Sequence, residues 1–403
     1  MRANTHDFVY CRRYFYMLMR KTKLNNFLSA IFPTSQRNVD RLFIATVVSL
    51  AAYGSVMVFS AGYAYADFRY GDGLYFVKRQ AVWLVIGILS MLLVARIDIG
   101  LLKKHTSKAY LGTLLLLGLT LAIGFVGNGA QRWIAIGPIT IQPSEIAKLT
   151  MTMMLAKYFS SGISYTSPKD RKGVFIKGTL IPCMIIAFPV LLVMLQHHLS
   201  CIIILGIIGL LMIVSSGADL RYIGAFCLIG VVGVTYIAFF TDYTKDRITV
   251  WLDPESYKLT GGWQTLQGLM AIGSGGIFGK GLGRGELKYC YVSEPANDMI
   301  FAVLCEELGL VGAIVAMLLF ALLIMRGFTI AFKTEDAFAR LLTIGICIKI
   351  AVQVLLNVAV VTNTIPNTGI SLPFFSYGGS SLIMIFAEMG IILSVSRNSR
   401  IHK

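Results

Sequence analysis

The sequence contains few charged residues, and its cysteines follow neither a disulfide nor a metal-binding pattern. Only 14% of its 403 residues are Asp, Glu, Lys or Arg, whereas these residues make up about a quarter of a typical soluble protein. The seven cysteines are an odd number and include no CxxC pair, which argues against a disulfide framework and a cysteine metal site. The first forty residues lack the apolar core and cleavage site of a secretory signal peptide, so no cleaved signal is expected.

The sequence also lacks the common motifs of nucleotide-binding and hydrolytic enzymes. Residues 273–285 are rich in glycine, but they match neither the P-loop nor the dinucleotide-binding spacing. No DxD, GxSxG or HExxH sequence is present, so a soluble sugar-nucleotide transferase, an α/β-type serine hydrolase and a zinc protease are not indicated. Two interpretations of the glycine-rich run remain open: a flexible turn between short helices, and a loop that moves over or holds a pyrophosphate.

Long apolar runs dominate the rest of the chain. Hydrophobic residues make up 56% of the sequence, and the mean hydropathy is +0.73. Runs of about 17–25 apolar residues can cross a bilayer as helices, and their continuity excludes the alternating pattern of a membrane barrel. The sequence therefore predicts an all-α polytopic membrane protein with about ten transmembrane helices. The predicted spans are 42–62, 81–97, 109–126, 144–160, 178–196, 200–216, 222–240, 299–325, 341–361 and 380–396.

Basic residues are unevenly distributed between the predicted loops, and the net charge is +16. With the N-terminus in the cytoplasm, 24 Lys and Arg residues lie on the inner side and 10 on the outer side, as the positive-inside rule requires. Both termini are therefore expected in the cytoplasm. The basic N-terminal tail fits an anionic membrane surface, and no nucleic-acid-binding motif accompanies it. The predicted organisation is a cytoplasmic tail (1–41), one membrane domain (42–396) and a second cytoplasmic tail (397–403).

Three outer loops have unusual compositions. Residues 127–144 and 363–381 are apolar yet interrupted by glycine and proline, and residues 241–298 form a large extracytoplasmic loop between spans seven and eight. Because unpaired backbone cannot face lipid, we expect these loops to fold back partly into the membrane under a cover of protein. Pro143 is expected to open the fourth helix, with Ser144 as its cap. The unusual loops indicate that the functional face is extracytoplasmic.

Asp298 lies where the large outer loop meets the eighth predicted span, and two roles remain open for it. Asp is a good N-cap residue for a helix. Alternatively, burial at a lipid boundary would raise the pKa of its carboxyl from about 3.9 towards a value suited to a general base. The helix N-terminus would oppose this rise because it favours the anion.

Six ionisable residues are predicted inside spans. A charge there costs about 2.5–3.5 kcal/mol on insertion scales, and such residues are usually functional. Glu306 and Glu307 lie about two turns into the eighth span, below Asp298, and are interpreted as hydrogen-bond hubs. The six residues are Glu145, Lys148, Glu306, Glu307, Lys349 and Glu388.

A group of polar residues flanks the start of the fourth and sixth spans. Glu145 and Lys148 are three residues apart on one helix face, so they are placed either to pair or to bind a diphosphate together with Arg132. His197 and His198 occupy a very short outer turn. Since two adjacent residues cannot both face one metal ion from a helix, we expect both histidines at the surface.

Six stretches of the sequence match a known family. From about residue 40 onwards, the chain resembles the SEDS family of membrane proteins (shape, elongation, division, sporulation), which includes FtsW, RodA and SpoVE. Residues 246–254 (DRITVWLDP) are more similar to the FtsW and SpoVE branch than to RodA. The matching stretches are YFVKRQ (75–80), GAQRW (129–133), QPSEIAK (142–148), AIGSGG (271–276), DMIFAV (298–303) with EELG (306–309), and LPFFSYGGSS (372–381).

The resemblance implies an activity. Members of this family are peptidoglycan glycosyltransferases of the bacterial plasma membrane, acting in cell division, sporulation or cell-shape control. They polymerise lipid II, the undecaprenyl-diphosphate-linked disaccharide-pentapeptide, and work with a class B penicillin-binding protein. The family's aspartate at the start of the span after the large loop corresponds to Asp298. The implied mechanism is inverting, with Asp298 taking the proton from the attacking 4-hydroxyl group.

The resemblance also implies the other parts of the site. Arg132 and Lys148, or a divalent cation such as Mg²⁺ or Mn²⁺, would stabilise the diphosphate leaving group, and Glu306 and Glu307 would support the site. No other cofactor is implied, and no metal ligand is identified. The expected substrate-binding residues are Arg132, Glu145, Lys148, Lys280, Ser376, Tyr377, Gly378 and Gly379.

Several positions depart from the family pattern, including the segment before Asp298, where Val292-Ser-Glu294 and Asn297 stand in place of the family's Leu-Pro-Glu and Thr. In the turn between the fifth and sixth spans, the family usually has Pro-Asp-Leu-Gly where this chain has His197-His-Leu-Ser200. His198 thus replaces a carboxylate, which leaves the cation dependence open. Glu388 occupies a position that is usually apolar. Two other functions also remain open: a lipid flippase or transporter, which requires a pathway at the membrane midplane, and a non-catalytic scaffold for the transpeptidase.

Overall fold

The computed structural model describes most of the chain after the N-terminal tail. It covers residues 39–127, 130–137, 139–162, 173, 175–217, 224, 242–286, 288–289 and 294–398. Helices occur at every predicted span except the seventh (222–240), which lies outside the described residues apart from residue 224. Most of the two predicted cytoplasmic tails lies outside them as well.

The described helices are numbered in chain order, and a π-helical turn, Ile176–Leu180, leads directly into α5. Counting that turn together with α5, seven helices in the described ranges are long and apolar enough to cross a membrane, and α6 is a shorter apolar helix. The protein is thus a polytopic helical membrane protein. The helices are α1 Arg41–Tyr70, α2 Tyr75–Val94, α3 Ile99–Ile123, α4 Pro143–Phe159, α5 Ile181–Leu195, α6 Leu199–Ser215, α7 Asp242–Leu252, α8 Gly262–Gly275, α9 Ile300–Phe332, α10 Ala337–Val361 and α11 Gly379–Asn398.

Aspartate caps define two of the helix starts. The side chain of Asp40 accepts a hydrogen bond from the Phe43 N–H at 3.0 Å and begins α1. Asp336 accepts from the Ala339 N–H at 2.7 Å and begins α10. Each cap satisfies one of the main-chain donors that the first helical turn leaves unpaired.

The outer loop between α3 and α4 contains a small antiparallel sheet, so the all-α prediction is wrong in this segment. Its strands are β1 Phe125–Gly127, β2 Ala130–Ile136 and β3 Ile139–Ile141, in the order β1-β2-β3. Ile136 pairs with Ile139, and Gly137 begins the turn between them with a φ of 62°. Strand pairing satisfies main-chain groups that an irregular loop would leave open.

Helix α9 is broken at Gly309, whose φ is 64° and whose ψ is −163°. A break leaves main-chain groups without helical partners, and in a bilayer these groups must be paired within the protein. The glycine-rich loop supplies the partners and is therefore docked against α9. The bonds run from Lys280 N to Glu306 O (3.0 Å), Gly281 N to Glu307 O (2.9 Å), Leu310 N to Gly276 O (3.0 Å) and Val311 N to Ile277 O (3.1 Å).

Close contact between α8 and α9 predicts a sharp difference between two glycines of α8. A Cβ atom on Gly275 would lie 1.9 Å from the Cys305 carbonyl oxygen, whereas a Cβ atom on Gly273 would meet nothing within 4 Å. Gly275→Ala should lower the free energy of unfolding by about 1–3 kcal/mol, the usual cost of overpacking. Gly273→Ala should be neutral or slightly stabilising, because alanine favours a helix. Unfolding of the purified protein by SDS in mixed micelles measures both, and equal stabilities would contradict the packing described here.

Candidate active site around Asp298

Asp298 lies just before α9, but it does not cap that helix. The N-cap residue is Met299, which makes no side-chain capping bond, so the capping interpretation is wrong. The main-chain carbonyl of Asp298 accepts a hydrogen bond from Asn357 Nδ2 at 2.9 Å, and the same amide group donates to the Ile370 carbonyl at 2.6 Å. Asn357 of α10 therefore holds the start of α9 and the last outer loop together.

The carboxyl group of Asp298 is half-buried, and its Oδ1 atom makes no hydrogen bond within the described part of the chain. Its pKa is raised from 3.8 to about 6, chiefly because burial disfavours the charged form, and in addition because Glu294 carries a like charge. Main-chain amides and the Arg247 cation act in the opposite direction. A carboxylate with this pKa, whose Oδ1 has no partner among the described residues, has the properties of a general base at neutral pH.

The last outer loop (residues 363–381) packs on the segment that carries Asp298. Ser376 Oγ donates to the Asn297 carbonyl at 2.7 Å and accepts from the Leu372 N–H at 2.7 Å. The Tyr377 N–H donates to the Ala296 carbonyl at 2.8 Å. Ser376 and Tyr377, both expected to bind substrate, thus contact the main chain beside Asp298.

Glycines of the same loop allow other close approaches. A Cβ atom on Gly369 would lie 3.6 Å from Asp298 Oδ2, which places the loop backbone against the carboxylate. A Cβ atom on Gly379 would lie 2.4 Å from the Trp83 ring, so no side chain fits there. Gly378 precedes it with only Ser381 nearby, at 3.7 Å. Substrate contact by Gly378 and Gly379 stays a prediction.

Arg247 and Glu294 are two charged residues of this site that sequence reasoning missed. Arg247 lies on α7, and its Nη1 donates to the Asn367 carbonyl at 2.5 Å, two residues from Gly369. Glu294 adopts a positive φ of 52° and accepts a hydrogen bond from Asn297 Nδ2 at 2.5 Å. The segment DRITVWLDP indicates a family branch, and it also contains Arg247, whose positive charge acts on the Asp298 carboxylate.

A second polar cluster lies at the outer ends of α4 and α6. Lys148 Nζ is 2.7 Å from Glu145 Oε1, and both side chains are almost fully buried. Arg132 of β2 donates through Nη2 to the His197 carbonyl at 2.7 Å, while its buried Nε atom has no partner among the described residues. Glu145 and Lys148 therefore pair, and the Arg132 guanidinium has one N–H group that no described residue accepts.

His198 belongs to this cluster, and the expectation that it lies at the surface is wrong. Its side chain is buried, with Nδ1 3.5 Å from Ser144 Oγ, whereas His197 is exposed as expected. Ser144 is not the cap of α4, which begins at Pro143 after Gln142. Burial, Arg132 and Lys148 lower the pKa of His198 to about 3, so its imidazole is neutral at pH 7.

The ion pair of Lys349 and Glu388 extends the cluster into the membrane. Lys349 Nζ on α10 is 2.5 Å from Glu388 Oε1 on α11, and both side chains are buried. Both residues also interact electrostatically with Glu145. The sequence showed two costly intramembrane charges but not that they neutralise each other.

The two clusters meet at the last outer loop. Ser200, in the first turn of α6, donates its hydroxyl hydrogen to the Thr368 carbonyl. Thr368 directly precedes Gly369, which lies beside Asp298. One loop therefore contacts the helix that follows His198 on one side and the candidate base on the other.

Glu306 and Glu307 hold the glycine-rich loop. Glu306 Oε1 accepts from Lys280 Nζ at 3.0 Å and from the Glu286 N–H at 2.9 Å. Glu307 accepts from Lys288 Nζ at 2.6 Å and also binds the Ser60 hydroxyl of α1. Lys280 was expected to bind substrate, and its ammonium group is engaged with the Glu306 carboxylate.

The side chains near His198 do not fit a divalent cation. Ca²⁺ takes six to eight oxygen ligands, and Mg²⁺ in a phosphate site is held by one or two carboxylates together with phosphate oxygens. In the ranges that the structure describes, no three His, Cys, Asp or Glu side chains are placed to hold one metal ion. Glu145 and Glu388 are each bound to a lysine.

Comparison with known proteins connects this arrangement to a family. Residues 40–401 match the family model FtsW/RodA/SpoVE, described as "Cell cycle protein". Stage V sporulation protein E of Bacillus subtilis is 36% identical, covering 91% of this chain and 99% of its own. The probable peptidoglycan glycosyltransferase FtsW of Geobacter sp. (strain M18) is 35% identical, covering 90% of this chain and 97% of its own.

The fold agrees with the sequence comparison. A solved structure titled "Structural coordination of polymerization and crosslinking by a peptidoglycan synthase complex" contains a chain that matches with a TM-score of 0.75. That match has 27% identity and covers 91% of this chain and all of the other. Since the family model covers nearly the whole membrane domain, the chain belongs to the FtsW/RodA/SpoVE family.

Proposed function

We propose that this protein is a peptidoglycan glycosyltransferase that polymerises lipid II at the outer face of the bacterial plasma membrane. The observation that carries the proposal is the carboxyl group of Asp298. It is half-buried at the start of a membrane helix, lacks a partner for Oδ1 among the described residues, and has a pKa of about 6. Relatives named as peptidoglycan glycosyltransferases support the class of reaction.

Asp298 acts as the general base in an inverting transfer. It takes the proton from the 4-hydroxyl group of the N-acetylglucosamine of one lipid II molecule. That oxygen attacks C1 of the N-acetylmuramic acid of a second molecule, and the bond from C1 to the diphosphate breaks. Attack on the face opposite the leaving group inverts the configuration at C1. A base with a pKa of about 6 is mostly deprotonated at pH 7 and more basic than an exposed aspartate.

The undecaprenyl diphosphate that leaves carries negative charge, which cations can stabilise. Arg132 has an unused Nε donor within the described chain, and Lys148 supplies positive charge beside it. The last outer loop links this cluster to Asp298 through Thr368 and Gly369. Arg132 and Lys148 therefore hold the diphosphate while Asp298 acts on the acceptor.

The expected setting follows from the charge distribution and from the structural relative. The chain has ten spans with both termini in the cytoplasm, which places the Asp298 site outside the cell membrane. A class B penicillin-binding protein is the partner that crosslinks the new strands. The matching chain from a peptidoglycan synthase complex supports such a pairing.

The proposal is tested by reconstitution. The protein would be purified together with its class B penicillin-binding protein and incubated with labelled lipid II, and glycan strands would be separated by gel electrophoresis. Strands that form only when this protein is present support the proposal. If no strands form while an active relative produces them under the same conditions, the glycosyltransferase proposal fails and the flippase and scaffold functions remain.

The raised pKa of Asp298 predicts the pH dependence of the reaction. The base must be deprotonated, so the rate should rise with pH through about 6. One unit below that pKa about a tenth of the carboxyl groups are ionised, and the rate at pH 5 should be about a tenth of the plateau. Glu294→Gln removes a like charge that raises the pKa, and should move this limb to lower pH. Initial rates at lipid II concentrations well below KM report kcat/KM and hence the pKa of the free protein, and a flat wild-type profile would contradict the assignment.

A further inference from the structure

The turn between α5 and α6 places the neutral imidazole of His198 beside the charged residues Arg132, Glu145 and Lys148. His198 is buried, and its Nδ1 is 3.5 Å from Ser144 Oγ. The charged groups that act on it are Arg132, Lys148 and Glu145. Two of these three groups are cations, and both would repel a further cation at this position.

The charges of the whole cluster also favour an anion over a cation. Arg132, Lys148 and Lys349 are cations, whereas Glu145 and Glu388 are the carboxylates that face them. Three cations against two carboxylates leave one positive charge in excess. Each carboxylate already contacts a lysine nitrogen, at 2.7 Å for Glu145 and 2.5 Å for Glu388. Such a cluster attracts an anion, and each of its carboxylates has one oxygen bound to a lysine.

We propose that this protein binds the diphosphate of its lipid-linked substrate through the Arg132 guanidinium, with the buried Lys148 contributing positive charge and without a divalent cation, and that His198 is the residue that determines this property. The inference rests on the proposed function, since it concerns the leaving group of that reaction. A guanidinium binds phosphate oxygens in a fixed fork, and Arg132 Nε makes no hydrogen bond to the described residues. The neutral imidazole adds no charge that would have to be balanced by a metal ion.

The proposal is tested with a pair of variants that differ in charge and hardly in shape. His198→Asp introduces a carboxylate between Arg132, Lys148 and Ser144, and His198→Asn introduces a neutral amide of the same size. Strand formation from lipid II is measured with EDTA and with Mg²⁺. The rate of the wild type should be about the same in EDTA as in Mg²⁺, and the rate of His198→Asn should likewise not depend on Mg²⁺. His198→Asp should be about tenfold slower in EDTA, because a carboxylate a few ångströms from the diphosphate repels it unless a cation lies between them.

A second readout does not depend on catalysis. Free Mn²⁺ gives a six-line electron paramagnetic resonance signal that is lost on binding, and farnesyl diphosphate serves as a soluble probe of the diphosphate site. Wild type and His198→Asn should leave the Mn²⁺ signal unchanged and bind farnesyl diphosphate equally with and without EDTA. His198→Asp should bind Mn²⁺, which would show directly that a carboxylate at this position creates a cation site.

The outcomes separate this inference from the proposed function. Wild-type activity that falls about tenfold in EDTA and returns with Mg²⁺, or farnesyl diphosphate binding that requires Mg²⁺, would overturn the inference while leaving the glycosyltransferase intact. If wild type forms no strands under any condition, the proposed function fails. In that case the farnesyl diphosphate and Mn²⁺ measurements still decide whether the cluster is a metal-free anion site.

Discussion

Replacing Asp298 with asparagine should lower the rate of glycan-strand formation by about 100- to 10,000-fold, the range in which a positioned general base contributes. Asparagine keeps the size of the side chain but cannot take a proton. The main-chain carbonyl of Asp298, which accepts from Asn357, is retained. We therefore expect the variant to fold and to bind lipid II with little change, so that the loss appears in kcat rather than in KM.

Asp253→Asn is the matched control for this experiment. Asp253 lies in the same large outer loop, is exposed, and its side chain accepts hydrogen bonds from the nearby Ser256 and from the main chain of Glu255. Its substitution removes the same charge without touching the site, and the rate should change less than about twofold. Equal activity of wild type and a folded Asp298→Asn protein would remove this carboxylate from the chemistry.

The second large effect is expected at the ion pair of Lys349 and Glu388. Replacing Lys349 with methionine would leave the Glu388 carboxylate buried without its partner, which should cost about 3–5 kcal/mol of stability. The double variant Lys349→Met with Glu388→Leu removes both charges and should lie within about 1 kcal/mol of wild type or above it, since apolar replacement of a buried pair is often neutral or stabilising. SDS titration of the purified proteins measures the three stabilities.

The exposed pair of Lys78 and Asp72 provides the comparison. Its nitrogen and oxygen are 2.8 Å apart, but both side chains are largely open to solvent. Lys78→Met should therefore cost no more than about 1 kcal/mol. A loss at Lys349→Met as small as that at Lys78→Met would show that water or a compensating proton reaches Glu388, and the double variant would then show no rescue.

The helices could be predicted from the sequence because their signals are local. Pro143 begins α4 as predicted, and the apolar runs coincide with helices throughout the described spans. The strands around Ile136 and Ile139 are also local. They have only three to seven residues, so the sequence predicts an interrupted apolar loop there. Periodicity is a weak signal over such lengths.

The tertiary relations of the site were not available from the sequence. Lys349 and Glu388 are 39 residues apart, and nothing local to either shows that they meet. His198 is predicted at the surface because two adjacent histidines cannot both face one metal ion, yet its side chain is buried, with Nδ1 3.5 Å from Ser144 Oγ at the start of α4. Arg247 acts electrostatically on Asp298 because α7 packs on the last outer loop. In each case, packing between distant segments decides the environment of the charge.

The break in α9 has a consequence for how the protein is made and how its loop can evolve. The partners of residues 306–311 are residues 276–281, which leave the ribosome first. When the broken segment enters the bilayer, the groups that complete its hydrogen bonds have already been synthesised. Shortening the chain between 276 and 281 would leave them unpaired in lipid, at several kcal/mol each. Insertions and deletions among related chains should therefore concentrate in residues 253–261, between α7 and α8, where the connection is exposed.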